Sequence, residues 1–317
     1  MNRILITGAS GFVGRHVVRR LVADGQKLNL AGRTNEKWST EGDVRFCGVG
    51  GVGQHTDWTD ALRDCDRVLH LAAQVPLPGV TDEAFQEVNN KGTERLVEQA
   101  CENGVEFFIL LSSVFAVSDH SADGPISEDT PTEPLTAYGR SKLDAEHHLN
   151  SFAQPGRTAI VLRPSVVYGA AAQGNWRLLQ RLAATGLPLP FASVDNRRTL
   201  TAVDNLADAI VHLLTMPRED RRSGIFMIGD GEAASLKDII LWLRTGMGLP
   251  ARLLPAPKKA LSLLLKVIGR AKVAQSMLGD LEVDSTRFRQ TFAWTPKIRT
   301  EEGIKRSGKE FMGPRKS

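Results

Sequence analysis

Cysteine is scarce in this 317-residue chain, and the three present form no pattern. Cys47, Cys65 and Cys101 are widely spaced with no CxxC pair. That spacing argues against a disulfide framework and a zinc site, and it fits a reducing, cytoplasmic compartment. No other ligand spacing points to a metal, and none is expected. No apolar run approaches the ~20 residues needed to cross a bilayer. The N-terminus shows no secretory signal, because its only apolar run is the short Ile4-Leu5-Ile6. Internal repeats and low-complexity stretches are also missing. Apolar content is 42% and charged content 24%, the balance of an ordinary globular protein. The basic excess is local: residues 251–317 hold 15 Lys/Arg against 6 Asp/Glu, and the remainder holds 25 against 30. A basic tail on an acidic body does not describe a nucleic-acid-binding protein, so no nucleic acid is expected as a partner.

The stretch that organises the chain is Thr7-Gly8-Ala9-Ser10-Gly11-Phe12-Val13-Gly14. An apolar strand runs into it and a helix-like stretch, 15–23, runs out. Gly8 permits the tight bend, Gly11 lets a pyrophosphate approach the backbone, and Gly14 lets helix and strand pack closely. The pyrophosphate would rest on backbone N–H groups at the positive end of the helix dipole. Gly8, Gly11, Phe12, Val13 and Gly14 are therefore assigned to a dinucleotide cofactor. Strand signals follow at 27–31, 67–71, 107–111 and 158–162, with helical stretches at 83–101 and 137–152. Near-continuous apolar strands between helices predict an α/β fold, a doubly wound parallel sheet of Rossmann type, over residues 1–165. After Pro164 the rhythm loosens. Residues 166–317 are expected to form mainly a smaller mixed substrate lobe, with part of 200–230 returning to the first domain.

Where NAD binding places an acidic residue, at the end of the second strand, this chain reads Ala31-Gly32-Arg33-Thr34. The planar fork of Arg33 suits a 2′-phosphate, which favours NADP, with NAD as the alternative. Tyr138-Gly139-Arg140-Ser141-Lys142 opens a predicted helix, and its Tyr and Lys share one face. A nearby ammonium lowers a phenol pKa toward the range of acid–base work, so Tyr138 and Lys142 are expected to act together. Ser112 and Ser113 end a strand above the ligand crevice, and Ser113 is assigned to the substrate oxygen. His70 is expected to pack at a strand end, and His147 and His148 to face solvent.

The glycine turn and the ordered set Ser113, Tyr138 and Lys142 resemble the extended short-chain dehydrogenase/reductase family, the sugar-nucleotide epimerases, dehydratases and reductases. His70-Leu71-Ala72-Ala73 is similar to the family's cofactor-contacting strand end, which implies that Leu71, Ala72 and Ala73 touch the cofactor. Asn89 matches a helix motif, and Arg163-Pro164-Ser165-Val166-Val167-Tyr168-Gly169 matches the segment passing the nicotinamide, placing Pro164 there. The stretch 198–205 implies that Arg198 holds a nucleotide diphosphate, with Asn175 on the same ligand. The resemblance implies a UDP-sugar substrate, hydride transfer at its position 4 and a homodimer. Three departures stand out: Ala116-Val117-Ser118 where many members read Val-Tyr-Gly, Gly50-Gly51-Val52 where an acid meets adenine, and Met277 where an arginine often pairs with the second phosphate. Other segments look like the subgroup that reduces UDP-linked 4-keto-6-deoxy-N-acetylhexosamines for surface polysaccharides. UDP-glucose or UDP-N-acetylglucosamine 4-epimerisation is the alternative, and a dinucleotide binder without turnover is a further one. A pure binder needs no acid–base group.

Residues 251–275 hold six Lys/Arg and no acid around Leu261, Leu263, Leu264, Leu265, Val267 and Ile268. The apolar side is expected to pack on the lobe and leave the lysines in water, without membrane association.

Overall fold

The computed structural model describes residues 3–33, 42–121, 124–267 and 277–313, with side chains described to 263 in the third stretch. Arg3–Thr7 (β1), Leu28–Gly32 (β2), Val44–Gly48 (β3), Cys65–His70 (β4), Phe107–Leu111 (β5), Thr158–Pro164 (β6) and Gly224–Ile228 (β9) form one parallel sheet. Their order is β3-β2-β1-β4-β5-β6-β9. The order reverses between β1 and β4, which opens the crevice where ligands of such sheets bind. The strands read apolar on both faces because helices cover both. Phe12–Ala23 (α1) and Val203–Thr215 (α7) bury Val17, Leu21, Ala207 and Ile210 on one side. Gly92–Glu102 (α4) and Ala137–Phe152 (α5) bury Leu96, Ala100, Ala145 and Phe152 on the other.

A second sheet is small and mixed. Val166–Tyr168 (β7) runs parallel to Arg198–Ala202 (β8), and Ala233–Ala234 (β10) runs antiparallel to β8. Gly174–Ala184 (α6), Leu236–Met247 (α8) and Thr300–Phe311 (α11) pack around it. Gly308 and Gly246 let α8 and α11 approach until a Cβ on either would strike the other helix's backbone. Thr286–Phe292 (α10) sends Phe288 and Phe292 back to the core of the large sheet, edge-on to Phe226.

The helical stretch expected over 83–101 forms from Asp82 to Glu102, and it winds wider at Gln86–Lys91 before α4 begins. A wide turn of this kind accommodates an extra residue inside a helix and occurs often at functional sites. It turns Asn89 inward, as described below. His148 does not face solvent. Its Nε2 lies 2.6 Å from Asn90 Oδ1, and only His147 is exposed. Lys258–Val267 (α9) opens the basic segment, and Leu261 packs into the lobe core as expected. The side chains of Leu264, Leu265 and Val267, and Ile268 with the rest of that segment, lie outside the described residues. Among the described residues no helix is long and apolar enough to cross a membrane.

Candidate active site

The glycine turn takes the geometry that its residues predict. Gly8 has φ +66°, and a Cβ there would lie 2.6 Å from the backbone nitrogen of Ala72. A Cβ on Gly14 would collide with the carbonyl of Gly8. Gly11 occupies the N-cap of α1, and no side chain caps that helix. A bare helix end beside a turn whose Gly8, Gly11 and Gly14 carry no Cβ fits a dinucleotide pyrophosphate. The side chains of Phe12 and Val13 are turned elsewhere: Phe12 packs edge-on to His16, and Val13 lies against the main core. What they present at the helix end is backbone N–H.

Beneath the turn, a hydrogen-bond chain fixes the strand ends. Thr93 Oγ1 donates its only proton to Asn89 O at 2.6 Å, so it accepts from His70 Nε2 at 3.0 Å. His70 Nδ1 then accepts from Thr7 Oγ1 at 2.7 Å, and that same oxygen accepts the amides of Leu71 and Ala72. Burial pushes the His70 pKa down to about 3, so the ring stays neutral in this role. His70 is at a strand end as expected, but hydrogen-bonded at both nitrogens. Asn89 is buried, accepts the Gln74 amide at 2.7 Å, and donates to Gln74 O and Ser141 Oγ, each at 3.0 Å. It ties the segment through Ala73, next to Gln74, to the helix that carries Tyr138.

Thr136 caps α5 by accepting the Gly139 amide at 3.1 Å. Gly139 has no Cβ, which would overlap the carbonyl of Phe115, so the first turn of α5 presses on the turn after Ser113. That contact sets the Ser113 side chain, which accepts the Phe115 amide at 3.2 Å, close enough to the Tyr138 phenol to act on it. Phe85 and Phe115 meet the Tyr138 ring edge-on at 5.9 and 6.5 Å between centroids. Lys142 is buried one turn on, and its Nζ donates to Leu111 O at 2.7 Å. Burial pulls its pKa down to about 8, and the charge of Glu146 opposes the shift. The expected lowering of the phenol pKa is absent: burial pushes Tyr138 up to about 12, and Ser113 opposes this. Desolvation is the larger cause, and the Lys142 charge is not among those acting on the phenol.

The adjacent serines have different jobs. Ser112 donates to Glu146, and Glu146 holds Arg163 through a buried two-oxygen ion pair with bonds of 2.6 to 3.1 Å. Ser113 instead faces the phenol. Replacing Ser113 by Ala is expected to lower kcat by about a hundredfold or more, because an oxyanion donor is worth roughly 3–4 kcal/mol. Replacing Ser112 by Ala should instead lower the melting temperature, because the buried Glu146 loses a donor. Parallel turnover and calorimetry on both variants check this. Equal loss of turnover in both would overturn the division.

Arg198 is buried at the head of β8, and its Nη1 donates to Gly279 O at 2.9 Å. Burial lowers its pKa to about 10, with Asp280 opposing. Met277 is buried in the lobe core, and Asn196 Nδ2 donates to its carbonyl at 3.2 Å. Asn175 is exposed in the first turn of α6, and Pro164 is buried at the end of β6. Arg33 is exposed just past β2. Three strand spacings, about 14 Å, separate β2, which precedes Arg33, from β5, which precedes Ser112 and Ser113. Sequence reasoning missed Phe85, Phe115, Thr7, Thr93 and Glu146. Of these, only Glu146 left a signal, since it stands four residues beyond Lys142 on the same helical face.

The chain is 29% identical over 316 residues to UDP-glucose 4-epimerase of Vibrio cholerae, covering 98% of this chain and 95% of that one. Its fold matches the crystal structure of UDP-N-acetylglucosamine 4-epimerase from Bacillus cereus with a TM-score of 0.79, at 22% identity, over 99% and 100% of the two chains. It also matches MoeE5 in complex with UDP-glucuronic acid and NAD, with a TM-score of 0.73 at 26% identity over 95% and 96%. A family profile aligns with residues 4–229, spanning the glycine turn, the serine pair and the Tyr138–Lys142 helix. The chain belongs to the NAD dependent epimerase/dehydratase family.

Proposed function

We propose that this protein transfers hydride between a nicotinamide dinucleotide and position 4 of a UDP-linked hexose, and that it reduces the 4-keto group of a UDP-linked 6-deoxy-N-acetylhexosamine. The observation that carries the reading is Tyr138 with Lys142 buried one helical turn on in α5, the Lys142 ammonium bonded to Leu111 O two residues before Ser113. Reduced nicotinamide supplies the hydride when bound. Tyr138 donates its proton to the position-4 oxygen, a direction favoured by a phenol that rests protonated. Ser113 hydrogen-bonds the same oxygen and shares its developing charge. Lys142 holds the nicotinamide ribose, and its charge compensates the phenolate left behind. Arg198 neutralises one phosphate of the substrate, with Asn175 on the same ligand. Two copies pair as a homodimer, as in the resemblance.

The second reading is 4-epimerisation, and end-to-end similarity to the Vibrio cholerae UDP-glucose 4-epimerase favours it. The same residues would then oxidise position 4 and reduce its opposite face. Incubation with a UDP-4-keto-6-deoxy-N-acetylhexosamine and NADPH separates the two, with products identified by NMR. One NADPH consumed per product supports the reductase. Conversion of UDP-glucose or UDP-N-acetylglucosamine with no net NADPH consumption overturns it.

Arg33 gives the cofactor preference. NADPH is expected to bind about tenfold tighter than NADH by fluorescence titration, and the preference should vanish in Arg33→Ala. NADH binding at least tenfold tighter than NADPH would overturn the role of Arg33.

A further inference from the structure

Among the described residues of the smaller lobe, three leucines stand out as the most exposed large apolar side chains. Leu187, Leu254 and Leu263 are 64%, 54% and 64% exposed. Buried Arg244 fixes the first two. Its guanidinium donates to the carbonyls of Ala183, Leu187 and Arg252, which pins the segment after α6 to the segment before α9. The two segments are also joined directly, Leu189 N to Arg252 O at 3.0 Å and Leu254 N to Leu189 O at 2.8 Å. Their backbone groups are therefore spent on each other, and the leucine side chains stand outward on a braced base. On α9, Leu261 enters the lobe core, while Lys259 and Leu263 share the opposite, exposed face.

Charge tells what this face meets. Residues 251–267 carry Arg252, Lys258, Lys259 and Lys266 and no acid, and residues 186–192 carry no charge. Arg252, Lys258 and Lys259 are exposed. Lysines on flexible stems beside projecting leucines match a surface whose outer layer is anionic and whose next layer is hydrocarbon. Three leucine tips are far too little for a stable dimer face of ~800 Å² per partner. We propose that Leu187, Leu254, Lys258, Lys259 and Leu263 form a docking face for an anionic phospholipid bilayer, on which the protein rests without spanning it. This departs from the expectation of no membrane association: Leu261 packs as expected, while Lys258, Lys259 and Leu263 do not. The proposal is independent of the sugar chemistry, because its test reads no turnover.

The test is sedimentation of the full chain with vesicles of phosphatidylcholine alone or mixed with phosphatidylglycerol. The protein is expected to pellet with the anionic vesicles only, and to be released as salt is raised. Lys258→Glu with Lys259→Glu should weaken partition by about twentyfold or more, since each basic residue at such a surface contributes a factor of about five. Leu187→Ser, Leu254→Ser and Leu263→Ser together should abolish it, with unfolding followed by circular dichroism to show that both variants stay folded. Equal pelleting on both vesicle types, no pelleting on either, or variants that partition like the parent would overturn the proposal. A dimer in light scattering that the serine variant splits, without vesicle binding by the parent, would give the face to a second copy and also overturn it.

Discussion

Turnover falls about a thousandfold in Tyr138→Phe, while the melting temperature moves by about 2 °C. General acid catalysis by a placed side chain contributes 10²- to 10⁴-fold, on the order of what the phenol supplies here. The stability term is small because the change removes one hydroxyl, worth about 1 kcal/mol even where it is hydrogen-bonded, and leaves the ring in place. The ring keeps its edge-on contacts with Phe85 and Phe115 in the variant. Stopped-flow cofactor oxidation and calorimetry on the same preparation check both halves. Turnover within a factor of three of the parent would remove Tyr138 from the chemistry.

The largest stability effect is expected at Glu146→Ala. Glu146 and Arg163 are 2% and 3% exposed, so removing the carboxylate strands a guanidinium in the interior. Breaking a buried pair in this way costs about 3–5 kcal/mol, or roughly 6–10 °C of melting temperature. The loss does not stop at the pair. Ser112 loses its acceptor, and Lys142 loses the one charge that opposes its desolvation. The ammonium pKa should then fall below about 8, and turnover should decline at alkaline pH before it declines at neutral pH. The double change Glu146→Leu with Arg163→Met should recover much of the stability, because no charge is left buried, yet it should not restore the alkaline activity. Urea unfolding and pH–rate profiles on the single and double variants test this. A single variant that melts within 2 °C of the parent would show that the pair does not hold α5 to β6.

The fold was legible because period and punctuation agreed. The strands at β1, β2, β4, β5 and β6 carry apolar runs long enough to be read without a partner. The glycine turn announced itself through spacing and its place between strand and helix. β3, β7, β8 and β10 were harder: β3 is only half-buried, and β7 and β10 have three and two residues. Short strands borrow their conformation from neighbours, and local sequence does not record that. The Tyr138–Lys142 pair was legible for the same reason as the turn, a fixed helical spacing. The Thr7–His70–Thr93 chain was not, because its members lie 63 and 23 residues apart and meet only when the sheet forms. The direction of the Tyr138 shift was misread from residue types. Type gave the charges, but burial decided the balance.

The path of the chain between the two sheets has a consequence for how the molecule is put together. β6 leads into β7, α7 and β9 return to the large sheet after β8, and α10 returns again before α11 leaves. A polypeptide stopped after β6 would lack the neighbour that covers Ile160 and Leu162, and its open edge would invite self-association. Neither lobe is a separable module. Two fragments split near residue 165 should regain native structure only when mixed, with each completing the other's sheet.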